Sequence, residues 1–272
     1  MDASSCRWIA AMVCCLAVAA AFDAEAAPRA HCPKPISFGL YEHGVMYDAA
    51  TGRGLDKDFA DLLAARTGCR FDFVLRSRAR IWHDLEAGTL MMTGSAIGTQ
   101  ARREFAWFAN HLASKNYVLV REGLAVNSAQ AFEKDASLRW GAVRGYQHGQ
   151  SMDRFLARLR LEQRVAEVPD VLSAYRDFLR GRTDAMFIQS MQASKYIKDM
   201  PPQQTIRLVD WFPEDKPVHA GLALSKKHFS EADARYWRKV IAELLADGSL
   251  RKLYGAYMPA DQVELTLNFK QE

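Results

Sequence analysis

Hydrophobic positions along this chain fall into short unbroken runs separated by stretches of helical period, a pattern that predicts strands alternating with helices. Ile36 to Leu40 is a short apolar run and predicts a strand. A polar turn, Tyr41 to Gly44, and a loop through Tyr47 to Gly52 and Gly54 follow it. From Leu55 the apolar residues Leu55, Phe59, Leu62 and Leu63 recur at helical spacing, and Gly68 stops that helix. Phe71 to Leu75 predicts a second strand with Phe71, Phe73 and Leu75 on one face. Strand, helix and strand within about 40 residues make a βαβ unit, which implies a parallel pair and a right-handed crossover.

A further helix turns Trp82 and Leu85 inward, has Arg78 and Arg80 ahead of it and stops at Gly88. The stretch Leu85 to Phe108, LEAGTLMMTGSAIGTQARREFAWF, then predicts a buried strand from Leu90 to Thr93, a small-residue turn, and a helix opening at Thr99 with Arg102 in its first turn. Small residues leave backbone N–H groups uncovered, so a ligand can approach closely, and an arginine beside them suits a carboxylate. An exposed helix arginine after a packing turn is the other reading of the same residues.

Tyr117 to Val120 predicts the next strand, and the polar stretch Gly123 to Ser137 reads as a boundary. A second α/β pattern begins at Leu138. It has a strand over Trp140 to Val143, a glycine-bounded loop over Gly145 to Gly149, and a helix from Ser151 to Leu161 with Phe155, Leu156 and Leu159 inward. Asp170 caps another helix, which carries Leu172, Tyr175 and Leu179 and stops at Gly181. Ala185 to Ile188 is strand-like, Met191 to Lys198 helical until Pro201 and Pro202, and Ile206 to Val209 and Val218 to Leu224 strand-like again. Ser230 with Asp233 three residues on forms a capping-box pattern for a helix that carries Trp237, Val240, Ile241, Leu244 and Leu245. A last helix carries Leu250, Leu253 and Tyr254 and ends before Pro259. Two α/β units in one chain leave a cleft between them, where small ligands bind.

Composition changes this picture at the N-terminus. Arg7, the apolar run Trp8 to Phe22 and the A-x-A pattern at Ala24 to Ala26 read as a cleavable secretory leader over residues 1–26. Its apolar run is too short to span a membrane. Residues 1–26 carry one basic residue (Arg7) and three acidic ones (Asp2, Asp23 and Glu25), so without them the net charge of +4 becomes +6. Both signs are mixed along the chain, and no basic block interleaved with aromatics points to nucleic acid. Cys32 and Cys69 remain after the leader. An even count in an exported chain predicts a disulfide, and parallel neighbouring strands would bring the two together at one sheet edge; two free buried thiols are the alternative. No zinc motif, phosphate loop or nucleophile elbow occurs, so no metal or cofactor is expected.

Over nearly the whole mature length the chain resembles the family 3 extracytoplasmic solute-binding proteins that deliver polar amino acids to ABC importers. The resemblance is carried by GLDKDFADLLAARTG (Gly54 to Gly68), LEAGTLMMTGSAIGTQAR (Leu85 to Arg102), Phe108, GRTDAMF (Gly181 to Phe187), GLALSKK (Gly221 to Lys227) and ADGSLRKLYGAYM (Ala246 to Met258). It implies a two-lobed periplasmic binding protein of type II, each lobe a mostly parallel sheet flanked by helices and the two joined by hinge strands. Lobe 1 would span 28–120 plus 219–272 and lobe 2 would span 121–218, with hinges at Val118 to Arg121 and His219 to Leu222. It further implies a monomer in the periplasm, partnered by the permease of an ABC importer.

Carried over residue by residue, the resemblance makes Arg102 the grip on a ligand carboxylate, helped by Ser95 and Ile97; a bidentate guanidinium suits that task. Where the family has a Gly-Thr-Thr turn, this chain has Gly145, Tyr146, Gln147 and His148. Where amino-acid binders keep an acid for the ligand ammonium, this chain has Ile188, Gln189 and Ser190. Arg78 stands where the family often has an aromatic, with Arg80 and His43 near it, which gives a cationic cleft; surface ion pairs to Glu42 or Asp84 are the alternative for Arg78 and Arg80. Tyr41, Tyr47 and Trp82 are candidates to stack on a ligand. The expected function is capture of a carboxylate-bearing solute: a polar amino acid, an amino-acid derivative or an organic acid. The alternatives are a cyclohexadienyl dehydratase-like enzyme, with Glu42 as its acid, and a ligand-sensing partner of a membrane receptor.

Overall fold

The computed structural model describes Cys32 and residues 35–193 and 205–271. The leader and most of the Met191 to Lys198 segment, with Pro201 and Pro202, lie outside the described residues. Among the described residues ten strands form two mixed five-stranded sheets. The first contains β1 (Ile36–Leu40), β2 (Phe71–Leu75), β3 (Met92–Ile97), β4 (Ala106–Ser114) and β10 (Val218–Ser225), in the order β2-β1-β3-β10-β4. The second contains β5 (Asn116–Arg121), β6 (Trp140–Val143), β7 (Val165–Val168), β8 (Ala185–Gln189) and β9 (Ile206–Val209), in the order β7-β6-β8-β5-β9. Each sheet is parallel across its first three strands and antiparallel thereafter, because β10 and β5 enter as direct continuations of the crossing chain and not through a helical crossover.

The helices start and stop where local chemistry dictates. In the first sheet's half, α1 (Leu55–Thr67) and α2 (Arg78–Ala87) end on left-handed Gly68 and Gly88, where a side chain would be strained. A four-residue helix, α3 (Gln100–Arg103), is capped by Thr99. In the second half, α4 (Ala129–Lys134) precedes α5 (Gln150–Leu161), and α6 (Val171–Leu179) is capped by Asp170, whose carboxylate accepts from the Ser173 amide. Helix α7 (Glu231–Ala246) returns to the first half with the full Ser230/Asp233 capping box, and α8 (Ser249–Gly255) and α9 (Ala260–Leu267) close the chain.

One core lies between the first sheet and its helices, around Phe38, Phe59, Trp237, Ile241 and Tyr254; a second packs Trp140 against Phe132, Phe155 and Phe187. Cys32 and Cys69 form a disulfide at the β1–β2 edge, with their Cα atoms 5.4 Å apart.

Several elements differ from the sequence reading. The small residues Gly94 to Ile97 are strand and not turn, because β3 runs on from Met92 to pair with β10 over Thr93, Ala96 and Ile97. Strand β4 emerges from a segment read only as the end of the Arg102 region. It is buried almost throughout, so it shows no alternation, and it carries Asn110 and His111 into the interior. Strand β7 and helices α4 and α9 were likewise not expected. Leu75, the last residue of β2, is 48% exposed, whereas Phe71 and Phe73 are partly buried against the first core. The chain passes from the first sheet to the second at Lys115, between β4 and β5, and returns between Val209 and Val218. Val118 to Arg121 and His219 to Leu222 therefore lie inside the second and first sheets respectively.

The return strand depends on one glycine. Gly221 sits at a register shift on both sides of β10, and a Cβ there would overlap the Ala109 carbonyl and the Asn110 backbone, neither of which can rotate away. Gly221→Ala is expected to lower unfolding stability by about 3 kcal/mol or more. Gly255→Ala, at a helical position with open space around it, changes stability by less than about 1 kcal/mol. Urea unfolding of the two variants checks the contrast, and equal small effects would contradict it.

Candidate functional site

Two arginines on neighbouring helices meet over one indole. Thr99 caps α3 and accepts from the Arg102 amide at 3.3 Å, which fixes the start of that helix. From there the Arg102 side chain is buried with its guanidinium carbon 3.7 Å from the centre of the Trp82 ring. Its Nη1 donates to the Ile97 carbonyl at 3.0 Å, and its Nη2 crosses the cleft to donate to the Gly145 carbonyl at 2.8 Å. Arg78, at the start of α2, is also buried. It donates to the carbonyls of Gly94 (3.3 Å) and Ser95 (2.9 Å) and lies 4.8 Å from the Trp82 ring and 4.3 Å from the Tyr41 ring. Among the described residues neither guanidinium is in an ion pair. Burial, and then repulsion by Arg78, bring the Arg102 pKa down to about 9. An anion placed between the two would relieve both costs.

The backbone under Arg78 is held by a buried acid. Asp56, in the first turn of α1, accepts from the Ser95 hydroxyl at 2.7 Å; Ser95 itself is in the left-handed region at φ 47°. A Cβ at Gly94 would come within 2.6 Å of an Asp56 carboxylate oxygen, so only glycine lets the strand lie on that acid. Burial pushes the Asp56 pKa up to about 6, against the opposing effects of the Ser95 hydrogen bond and the Arg78 charge.

The second half supplies the Gly145–Gly149 loop. Gly145 has φ 80°, and a Cβ there would press on the Ala79 backbone, so the loop closes directly on the start of α2. The Tyr146 ring stands between the first half's Tyr41 (centroids 5.8 Å, edge-on) and His43 (5.2 Å). Asp153 holds the loop by accepting from the backbone amides of His148 (3.0 Å) and Gly149 (3.3 Å). Asn116, one residue past the crossing at Lys115, donates to the His148 carbonyl at 2.9 Å. Gln192 reaches back across the cleft and donates to the His43 carbonyl at 2.8 Å. Behind Tyr146 a small cavity is bordered by His43, Asn116, His148, Gln189 and Gln192.

Of the residues expected at the cleft, the structure gathers Tyr41, His43, Arg78, Ser95, Ile97, Arg102, Gly145, Tyr146 and Gln189 into this one region. Gln147 lines an outer groove with Ile97, Thr99 and Asp153. Tyr47 instead packs on the first core, because its loop folds back to pair Asp48 with Arg53. Arg80 is at the surface, paired with Asp84 at 2.7 Å, whereas Arg78 is not. Glu42, the acid of the enzyme alternative, accepts from the Gly44 and Ala49 amides and ties its own loop. The residues missed were Asp56, Asn116, Asp153 and Gln192, whose partners lie 4 to 149 positions away in sequence. A helix-start acid followed by a Gly-Ser strand is the sole trace any of them left in the sequence. Among the described residues no three His, Cys, Asp or Glu side chains are grouped to hold a metal ion.

Fold and cleft together define a two-lobed α/β solute-binding protein. Residues 41–260 match the bacterial extracellular solute-binding proteins, family 3, and the chain belongs to that family. No curated protein matches it at the level of sequence. Among solved structures it is similar to an ancestral arginine-binding protein bound to arginine (TM-score 0.70, 18% identity, 84% of this chain and 100% of that one). It is similar also to the arginine-, lysine-, histidine-binding protein ArtJ from Geobacillus stearothermophilus (0.69, 16%, 85% and 100%). A third is the ancestral amino acid-binding protein AncCDT-1, a precursor of cyclohexadienyl dehydratase (0.67, 19%, 83% and 95%). At these identities the likeness is one of fold.

Burial makes the site's histidines a pH liability. His43, His148 and the core residue His111 are each pushed down to about 3, by burial above all. They stay neutral when folded and take protons near 6.5 when unfolded, so the stability they contribute is full above about pH 6.5 and is lost as pH falls toward 3. Asp56 acts with the opposite sign, since its raised folded-state pKa favours the native state as pH falls from 6 to 4. Asp153, whose pKa burial also raises, has the same sign as Asp56, but three histidines outweigh two acids, and each is worth about 1.4 kcal/mol per pH unit. The urea midpoint is expected to be clearly lower at pH 5 than at pH 7.5, with His111→Gln flattening the difference. An equal or higher midpoint at pH 5 would refute this.

Proposed function

We propose that this chain is a periplasmic solute-binding protein that closes two lobes around a small carboxylate-bearing solute and hands it to the permease of an ABC importer. The observation that carries the reading is Arg102, a buried guanidinium with no acidic ion-pair partner among the described residues, aimed into the cleft and already bridging its two walls. Lobe 1 comprises residues 28–115 and 218–272 and lobe 2 comprises 116–217, the division falling where the chain crosses between the sheets, and rotation is taken up at Lys115 and in the return segment before Val218. The ligand surface is Tyr41, His43, Arg78, Ser95, Ile97 and Arg102 from lobe 1, with Gly145, Tyr146, Gln147 and Gln189 from lobe 2. The amino acids named for the similar structures support a ligand of that size. Residues 1–26 act as the export leader, and the mature protein works as a monomer without chemistry or cofactor.

Native mass spectrometry of the exported protein, followed by denaturing release, identifies any co-purifying solute. Thermal-shift titration with dicarboxylates, N-acyl amino acids and free amino acids then measures affinity. Arg102→Ala is expected to weaken the best carboxylate at least about 100-fold, and Arg102→Lys less, because it keeps the charge but loses the fork. Arg80→Ala, at an exposed ion pair, leaves binding unchanged. Full affinity in Arg102→Ala would overturn the reading.

A further inference from the structure

The site has a second end, chemically unlike the first. The cavity behind Tyr146 is bordered by six polar side chains: His43, Asn116, Tyr146, His148, Gln189 and Gln192. Among the described residues no Asp, Glu, Lys or Arg borders it, and the remaining described wall is glycine and apolar side chains such as Val143, Met186 and Phe187. Three acids described around the cleft are engaged elsewhere: Glu42 with the Gly44 and Ala49 amides, Asp56 with the Ser95 hydroxyl, and Asp153 with the His148 and Gly149 amides. Gln192 and Asn116 are partly used, holding the carbonyls of His43 and His148. The half-buried side-chain amide of Gln189 makes no hydrogen bond among the described residues, so both its donor and its acceptor are open to a ligand. The cationic end is one residue away: Gly145 gives its carbonyl to Arg102, and Tyr146 borders the cavity. The cavity itself is small, so the part of a ligand that fills it is short.

We infer that the cleft selects a short carboxylic acid whose other end is uncharged and hydrogen-bonding, a hydroxy or oxo acid in place of an α-amino acid, with the carboxylate on Arg78 and Arg102 and the hydroxyl or carbonyl oxygen on Gln189. An ammonium at the far end would lose its water and meet only neutral acceptors, an uncompensated burial of charge. A hydroxyl or carbonyl group loses little, because amide and imidazole groups match it as donors and acceptors. His43 and His148, kept neutral by burial, add no charge of their own that would draw a second carboxylate. Tyr146, standing over this cavity, is the side chain such a ligand displaces or packs beneath.

This inference rests on the carboxylate reading of Arg102, and the test separates the two. The purified full-length mature protein is titrated calorimetrically with 2-hydroxy, 2-oxo and 2-amino acids of matched three- to five-carbon skeletons, alongside the corresponding uncharged alcohols. The expected result is that a hydroxy or oxo acid binds at least about tenfold more tightly than its amino counterpart, and that the alcohols do not bind. Gln189→Glu is expected to reverse the preference toward the amino acid by about tenfold, with its melting curve as the check on folding. An amino acid that binds wild type as tightly as its hydroxy or oxo counterpart overturns the inference and leaves the carboxylate grip standing. Alcohols binding as well as acids, or no acid of any skeleton binding, overturns the grip and the inference together.

Discussion

The cleft is governed by the burial of two guanidiniums against one indole. A charge taken out of water without a partner is costly, and like charges brought together add to that cost. The fold meets this with dipoles in place of acids: Arg78 is solvated by two carbonyls of β3, Arg102 by one carbonyl from each half of the molecule, and both by the face of Trp82. Since one of the Arg102 acceptors belongs to the opposite half, compensating the charge and bringing the halves together are the same event. Burial and then the repulsion from Arg78 still bring the Arg102 pKa down to about 9, and an anion placed there would offset both.

That arrangement is held by strain stored a few residues away. Ser95 sits in a backbone region that costs a non-glycine residue about 1 kcal/mol or more. It stays there because its hydroxyl is tied to Asp56 and its carbonyl to Arg78. Gly94 beside it has no side chain because the Asp56 carboxylate occupies that space. The first turn of α1, the end of β3 and the start of α2 thus form one unit, and the GLDKD and TGSA segments are coupled by contact although nearly 40 positions apart.

How much of this was legible in the sequence follows from the range of the forces involved. Helix limits were readable because caps are local: Gly68, Gly88, Asp170 and Ser230 each act within a few residues of where they stand. Strand β4 was not, because its polar residue Asn110 is made tolerable by Lys270 and Gln271, 160 and 161 positions later, and full burial erases the alternation that marks a strand. At the site, Arg102 and the Gly145 loop could be placed through the family resemblance, whereas Asn116 and Gln192 could not, since each is defined by a contact distant in sequence, Asn116 to the His148 carbonyl within the second half and Gln192 to the His43 carbonyl across the cleft. Arg78 and Arg80 show the limit most clearly. They are two residues apart, of the same type and on one helix, yet Arg78 is buried over Trp82 and Arg80 is paired with Asp84 in solvent. Helical phase decides between them, and phase is fixed by the Ser77 cap and by Ile81 and Trp82 turning inward.

The contact between Arg102 and Gly145 also sets the terms on which a ligand binds. A solute that occupies Arg102 competes with a neutral carbonyl already well placed at 2.8 Å, so it gains only by being the better acceptor. A charge-assisted hydrogen bond to a carboxylate is roughly twice as strong as one to a neutral carbonyl and in addition offsets the Arg78–Arg102 repulsion. An uncharged solute does neither. The ligand shifts the balance between lobe arrangements only by the difference in its affinity for them. On the proposed reading, selection for negative charge follows from the competitor the protein itself presents, before any further contact with the solute is counted.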